Sequence, residues 1–191
     1  MFDKKQNGVT VLELLISMAV LAGILATAVP NYSKFVAKRR TAGAVETMHA
    51  YIENAKMESI KRNQSVTVRF RNTWDGSKWC FGATLGTTAC NCVTTNTAAA
   101  DHCDIDGLDT KMWYSDFGNV EIGNIDTFSG GVKTFTFDPA RGMLSNPADS
   151  GSFELVSNDN EYKVKLSVNG LGRIQMCTDS GHKLVGYKTC S

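Results

Sequence analysis

Glu13 is the first residue whose type and position suggest chemistry, because it is a carboxylate within an apolar run. Of the 21 residues from Val9 to Val29, 16 are Val, Leu, Ile, Met or Ala, and Gly8 precedes the run. A carboxylate at membrane depth costs about 2.5–3.5 kcal/mol on insertion scales and normally has a partner. We therefore expect Glu13 to meet a charged group inside an apolar environment.

The cysteines form a second candidate group, since all six lie beyond residue 79. Their even number indicates disulfides in an oxidising compartment, with about 15 pairings open. Zinc is the alternative for Cys90, Cys92, His102 and Cys103, but neither Cys-x-Cys nor His-Cys is a usual structural-zinc spacing. The sequence thus predicts disulfides and no metal. The candidates are Cys80, Cys90, Cys92, Cys103, Cys177 and Cys190.

Four aspartates lie in one predicted loop, at positions 101, 104, 106 and 109. Calcium could bridge such oxygens, but no glutamate follows at the position of the bidentate ligand in an EF-hand. We expect a solvated acidic loop formed by Asp101, Asp104, Asp106 and Asp109, and no cofactor.

Enzymatic signatures are absent from the sequence. There is no nucleophile elbow, P-loop, HExxH or Rossmann glycine pattern. His49 has no Ser, Cys or acid placed to work with it, so we interpret it as structural. The sequence predicts a chain that is not an enzyme.

The charges are unevenly distributed, although the formal net charge is only +1. Lys and Arg outnumber Asp and Glu by 12 to 6 in residues 1–100 and by 5 to 2 in residues 161–191, whereas acids prevail by 11 to 3 in residues 101–160. This balance argues against a chain that binds polyanions over its whole surface.

The elements that must position these residues begin with a predicted membrane helix at 9–29. As a helix it would span about 31 Å, which matches a bilayer core. A leader, residues 1–8, carries Lys4 and Lys5, which favour a cytoplasmic N-terminus. A secretory signal cleaved after Ala28 is the alternative, but the long apolar run and Glu13 oppose it.

The helical pattern continues over residues 30–62 as an amphipathic segment. Pro30 predicts a kink or local melting, and Asn63 is a plausible cap at the end of the helix. One face is available to pack on a domain. Its stripe consists of Ala42, Val45, Met48, Ile52, Ala55 and Ser59.

From residue 63 the chain reads as a β-rich domain, 63–191, whose alternating period predicts short strands. A weakly periodic segment, 86–131, is interpreted as a surface insertion tied down by cysteines. The sequence predicts an α+β fold: a long N-terminal helix packed on an antiparallel sheet domain. The predicted strands are 65–71, 132–138, 152–157, 162–168 and 172–177.

The N-terminal stretch "GVTVLELLISMAVLAGILATAVP" resembles the class III signal of type IV pilins and type II secretion pseudopilins. The resemblance implies that a prepilin peptidase cleaves between Gly8 and Val9, that Val9 is N-methylated, and that the apolar segment is retained. It also implies that Glu13 pairs with the new amine of Val9, within a subunit or between neighbours in a filament. Val9 and Glu13 are then assembly residues, since their ion pair selects the axial position of one subunit relative to the next in the filament.

The C-terminal half, "FDPARGML…SFELVSNDNEYKVKLSVNGLGRIQMC", is similar to the GspH/FimT group of minor pilins and pseudopilins. The group implies a pilin-like fold and a place at or near the tip of a filament. The closest role is that of FimU-like members, which join other minor pilins and prime pilus assembly for twitching motility.

DNA is a further candidate partner, because some FimT-like minor pilins contact it through a Gly-Arg-x-Arg motif. Here the stretch from Gly172 to Gln175 keeps the first arginine and replaces the second with glutamine. The candidate contacts are Arg173, Lys163, Lys165, Lys183 and Lys188.

The favoured function is therefore a minor type IV pilin held in the inner membrane, with a cytoplasmic N-terminus and a periplasmic domain, and later located at the pilus tip. Its implied partners are other minor pilins, the major pilin, prepilin peptidase and a tip adhesin. A GspH-type pseudopilin of type II secretion is the first alternative, and a DNA-binding minor pilin of natural transformation is the second.

Overall fold

The computed structural model describes residues 9–72, 78–118, 120–126, 132–181, 184 and 186–190, without the side chains at 30 and 124–126. The predicted leader lies outside the described residues. The chain divides into two compact units, Met1–Val36 and Ala37–Ser191. We call them the stem and the domain.

One long helix, α1 (Val11–Arg62), runs through both units. It begins where the Thr10 hydroxyl accepts a hydrogen bond of 3.2 Å from the Glu13 backbone amide, which caps the first turn. It ends at Asn63, whose φ of 50° is left-handed. The next amide, that of Gln64, donates to the Ser59 carbonyl at 3.2 Å. These contacts form a Schellman cap with asparagine in the position that glycine usually takes.

The stem is apolar and exposed. Every described side chain from Val9 to Phe35 is exposed, and the helix is long and apolar enough to cross a membrane. The helix continues through position 30, so the predicted local melting is wrong. Apolar side chains left uncovered in this way require lipid or another protein around them.

Within the domain, α1 packs through the predicted stripe. Ala42 is half-buried, and the other stripe residues are buried, together with Thr41 and Ala44. Spacings of three and four put these small and medium side chains on one face, which joins the domain core. His49 lies beside the stripe and is half-buried.

Within the described residues, strands β1–β11 form two sheets and a hairpin, so the predicted α+β fold is confirmed. One sheet has the order β5-β2-β1-β7, and the other β11-β10-β9-β8-β6. All pairs are antiparallel except β10 with β11. The strands are β1 Val66–Asn72, β2 Trp79–Leu85, β3 Asp104–Ile105, β4 Leu108–Asp109, β5 Met112–Trp113, β6 Glu121–Asp126, β7 Val132–Phe137, β8 Gly151–Val156, β9 Lys163–Val168, β10 Ile174–Thr178 and β11 Lys188–Thr189.

The segment 86–131 differs from a plain surface insertion. It contributes β6 to the five-stranded sheet, and Val120 and Ile122 to the core. The reason is spatial: β6 pairs with the edge of β8, and β5 in the same segment pairs with β2 of the other sheet.

Stacked aromatic rings join the two sheets. The ring centroids of Phe70 in β1 and Phe153 in β8 are 4.9 Å apart, and Trp79 stacks on Phe70 at 6.0 Å. The Trp79 indole Nε1 donates to the Val120 carbonyl at 2.7 Å. Trp79 is fully buried, so this hydrogen bond satisfies two polar atoms that would otherwise be costly.

We expect Trp79→Phe to lower the free energy of unfolding of the domain by about 2–4 kcal/mol, since it leaves a buried carbonyl unpaired and opens a cavity. Trp113→Phe, at a half-buried position, is the control and should cost less than about 1 kcal/mol. Hydrogen exchange of the β9 amides in the detergent-solubilised chain measures the free energy of unfolding of both variants. Equal losses would show that the Trp79 bond contributes nothing.

Candidate functional site

The stem carries the predicted assembly residues. Val9 and Glu13 are both exposed, and no described cation forms an ion pair with the Glu13 carboxylate. Gly8, the other processing residue, lies outside the described residues. The first turn of α1 thus presents one carboxylate on an uncovered apolar surface that includes Leu12, Leu14 and Leu15. Burial of that surface by another helix would bury the carboxylate too.

Two disulfides hold the segment that follows β2: one joins it to β2, and the other lies within it. They connect Cys80 with Cys92 and Cys90 with Cys103. All four cysteines are buried in a small cluster of their own. Since these sulfurs form disulfides, none is a thiolate that could bind zinc, and the alternative zinc site is wrong.

Gly82 allows this cluster to form. A Cβ added at this position would lie 2.4 Å from the Cys103 sulfur. The Arg69 guanidinium supports the same segment, because its Nη1 donates to the Cys90 carbonyl at 3.0 Å. The disulfides and this hydrogen bond hold a segment with few apolar side chains.

The four aspartates of the predicted acidic loop do not converge. Asp101 accepts from the Asn91 amide, Asp104 from the Gly107 backbone, and Asp106 pairs with Arg62. Asp109 pairs with Lys111 at 3.2 Å. Within the described residues no group of three or more His, Cys, Asp or Glu could hold a metal. Asp104 and Asp109 instead accept hydrogen bonds within or next to the β3–β4 hairpin, and Asp106 ties it to the end of α1.

A polar cluster of buried His102, half-buried Lys111 and exposed Asp109 lies on the other side of this hairpin. The Lys111 ammonium lies 3.2 Å from His102 Nε2, and it also donates to the Thr94 carbonyl at 3.1 Å. Partial burial alone would raise the pKa of Asp109. Hydrogen bonds from Lys111, with His102 nearby, outweigh that effect and hold this pKa below its usual value.

The third disulfide, Cys177–Cys190, ties β10 to the C-terminal tail. The tail also reaches α1, because the Tyr187 hydroxyl donates to Glu46 at 2.8 Å. Sequence reasoning missed this contact and the Lys111 cluster. Tyr187 and Glu46 are 141 residues apart, and no local pattern relates them.

The described candidate DNA contacts fall into two groups: Lys163, Lys165 and Lys188 lie toward the start of β9, and Arg173 lies beyond its end. Lys165 and Lys188 both flank Cys177 in the sheet register and line an open groove of about 590 Å³ on the outer face. Arg173 lies beyond the opposite end of β9 from Lys163, which at strand geometry separates them by about 20 Å. Glu154 lies opposite Lys165 and reduces the local positive charge. Lys183 is outside the described residues.

A family model described as type II transport protein GspH matches residues 44–172. The chain belongs to the GspH family. The matched residues include most of the domain part of α1, both disulfides of the cysteine cluster and the strands through β9. The resemblance drawn from the C-terminal sequence is therefore confirmed.

Two solved structures of the Pseudomonas aeruginosa type IV minor pilin FimU are also similar. One is 18% identical with a TM-score of 0.46, covering 74% of this chain and 99% of that chain. The other is 16% identical with a TM-score of 0.47, covering 78% and 99%. Likeness at this level assigns neither a role nor a partner to this chain.

Family membership establishes the general class of function. GspH-family proteins are structural subunits that assemble with other pilins in a filament, and the chain is not an enzyme. Its apolar N-terminal helix is compatible with membrane anchoring.

We expect Asp109→Asn to destabilise the domain by about 0.5–1 kcal/mol at pH 7, because it removes a partly exposed ion pair. The pKa of Asp109 is lowered by folding, so its contribution is present above the unfolded pKa and is lost as pH falls through the folded value. The difference from wild type should therefore shrink toward pH 3 in urea unfolding. Glu121→Gln, an exposed carboxylate, is the control. A difference that persisted at low pH would contradict the ion-pair account.

Proposed function

We propose that this chain is a minor type IV pilin that takes part in priming pilus assembly and is located at or near the pilus tip. The observation that carries the proposal is the stem: an uncovered apolar helix with one carboxylate in its first turn, in a chain of the GspH family. Such a helix is suited to storage in a membrane and then to burial among other helices.

Processing would complete the assembly site. Cleavage between Gly8 and Val9 creates an amine one residue before the Thr10 cap, and N-methylation of Val9 leaves it charged. The amine then lies at the positive end of the helix dipole, which disfavours a cation there. A carboxylate from a neighbouring subunit offsets this cost. Glu13 would supply that carboxylate, so apolar packing drives association and the ion pair selects the axial position.

The domain would provide lateral contacts to other minor pilins. Its three described disulfides make local unfolding costly, which suits a subunit that bears tension near a tip. The nearest alternative is a pseudopilin of type II secretion, and the description of the matching family model favours it. Both functions use the same stem chemistry.

The decisive experiment is deletion of the gene in its own host, followed by assays of surface pili, twitching, exoprotein secretion and transformation. A tip minor pilin predicts loss of surface pili and of twitching with secretion intact. Exoproteins trapped in the periplasm would instead support the secretion alternative. If pili remained and only transformation failed, the DNA-binding alternative would replace the proposal.

Complementation with Glu13→Val tests the assembly site. The variant should be inserted and processed normally, but its amount in sheared filaments should fall about tenfold or more, since the loss of one buried partner costs several kcal/mol. Ser17→Ala, another polar position of the stem, is the matched control and should incorporate normally. Normal incorporation of Glu13→Val would remove the ion pair from the mechanism.

A further inference from the structure

Two glycine turns pack against the last turns of α1 in the domain. The Lys56 ammonium donates to the Gly172 carbonyl at 2.9 Å. A Cβ added to Gly142 would lie 2.9 Å from the Ile60 side chain, and one added to Gly172 would lie 2.2 Å from the Gly142 carbonyl oxygen. The turn after β7, the turn after β9 and the helix end are therefore in direct contact.

Each turn is locked by a side chain of its own. Asp138 Oδ1 accepts from the backbone amides of Ala140 and Arg141 at 2.9 and 3.2 Å. Asn169 Oδ1 accepts from the amides of Leu171 and Arg173 at 3.1 and 2.9 Å. These bonds fix the backbone beneath the outward-facing residues, so binding there would order little further structure.

The outward face of this joint combines apolar and cationic side chains. Met57 is 60% exposed, Ile60 44% and Leu171 68%. Arg141 and Arg173 are exposed beside them. We call these five residues the turn patch. Met57 and Ile60 are about one helical turn apart, and Leu171 precedes Gly172, which packs on Gly142 beside Ile60. Exposed apolar side chains grouped on a rigid base are typical of an interaction surface.

Neither arginine of the turn patch has an ion pair with a described residue. The nearby carboxylates have other contacts: Asp138 holds its own turn, and Glu53 lies 3.9 Å from Lys56. Glu58 pairs with Lys61 and Arg62. The side chains of Arg141 and Arg173 therefore remain available to carboxylates of another protein, although Asp138 lies in the same turn as Arg141.

We propose that the turn patch docks an acidic, partly apolar surface of a neighbouring protein subunit in the filament. Apolar contact with Met57, Ile60 and Leu171 would supply the binding energy, and carboxylates of the neighbour would pair with Arg141 and Arg173. A nucleic acid would satisfy the arginines but leave the three apolar side chains in water. The choice of a filament subunit as occupant rests on the proposed function.

The test is site-specific photocrosslinking in cells that express the full chain with p-benzoylphenylalanine in place of Leu171. The control carries it in place of Asn158, an exposed residue in the turn at the other end of the β8–β9 hairpin. We expect a pilin or pseudopilin adduct from position 171, mapping to a peptide that contains Asp or Glu, and about tenfold less from position 158.

Charge reversal makes the result specific. Arg141→Glu with Arg173→Glu should reduce the adduct about tenfold, and Asp or Glu→Lys at the mapped position of the neighbour should restore it. Arg141→Gln with Arg173→Gln should give an intermediate yield. Unchanged hydrogen-exchange protection of β9 confirms that the variants fold.

A lack of protein adduct above the control, a DNA adduct, or a yield insensitive to charge reversal overturns the docking surface. An adduct with a subunit of a secretion filament supports the docking surface while overturning the pilus assignment. Failure of the docking surface and failure of the pilus assignment therefore give different results.

Discussion

An apolar helix surface that its own chain leaves uncovered is the constraint on which the other features depend. Every described side chain from Val9 to Phe35 is exposed, and water is an unfavourable solvent for the many apolar ones among them. Lipid tails and neighbouring helices both relieve this cost, but in the proposed filament a neighbouring subunit would also offer its amine to Glu13, which lipid tails do not. In the proposed filament, the carboxylate therefore distinguishes assembly from membrane storage.

The domain solves a different physical problem, which is how to hold long connections with few apolar side chains. Its core consists of the α1 stripe and the aromatic stack between the sheets. Residues 86–104, which follow β2, contribute no side chain to that core, and disulfides, Arg69 and the Lys111 cluster hold them instead. Covalent and polar contacts thus take the place of hydrophobic burial where composition does not provide it.

Much of this fold follows from local periodicity in the sequence. The α1 stripe recurs at spacings of three and four, and strand β9 alternates between half-buried and buried positions, so their patterns are visible in the sequence. In β1 the residue types alternate, although Thr67 is buried as well as Val66 and Val68. Strand β2 was missed because its first five residues are all buried and include Gly82, which removes the alternation. Strand β6 was missed because "EIGNID" is rich in residues that are typical of turns.

The site features divide in the same way. The stem and Glu13 could be predicted because they form one continuous stretch of sequence. The even number of cysteines indicated disulfides, but it did not show which cysteines pair. The turn patch could not be predicted from the sequence, because its residues are spread from Met57 to Arg173. They come together only where the turns after β7 and β9 pack on α1. Only the packing of Gly142 on Gly172 makes Arg141 and Arg173 neighbours.

The stem and the turn patch follow one rule of recognition. Each combines apolar area with a charge that lacks a described partner: Glu13 in the stem, and Arg141 and Arg173 in the domain. Apolar area binds without much selectivity, whereas a buried charge penalises every neighbour that lacks its complement. In the proposed filament, affinity would come from the apolar surfaces and the order of subunits from these few charges. A subunit with only the apolar surfaces would still associate with its neighbours, but without a preferred axial position or a preferred neighbour.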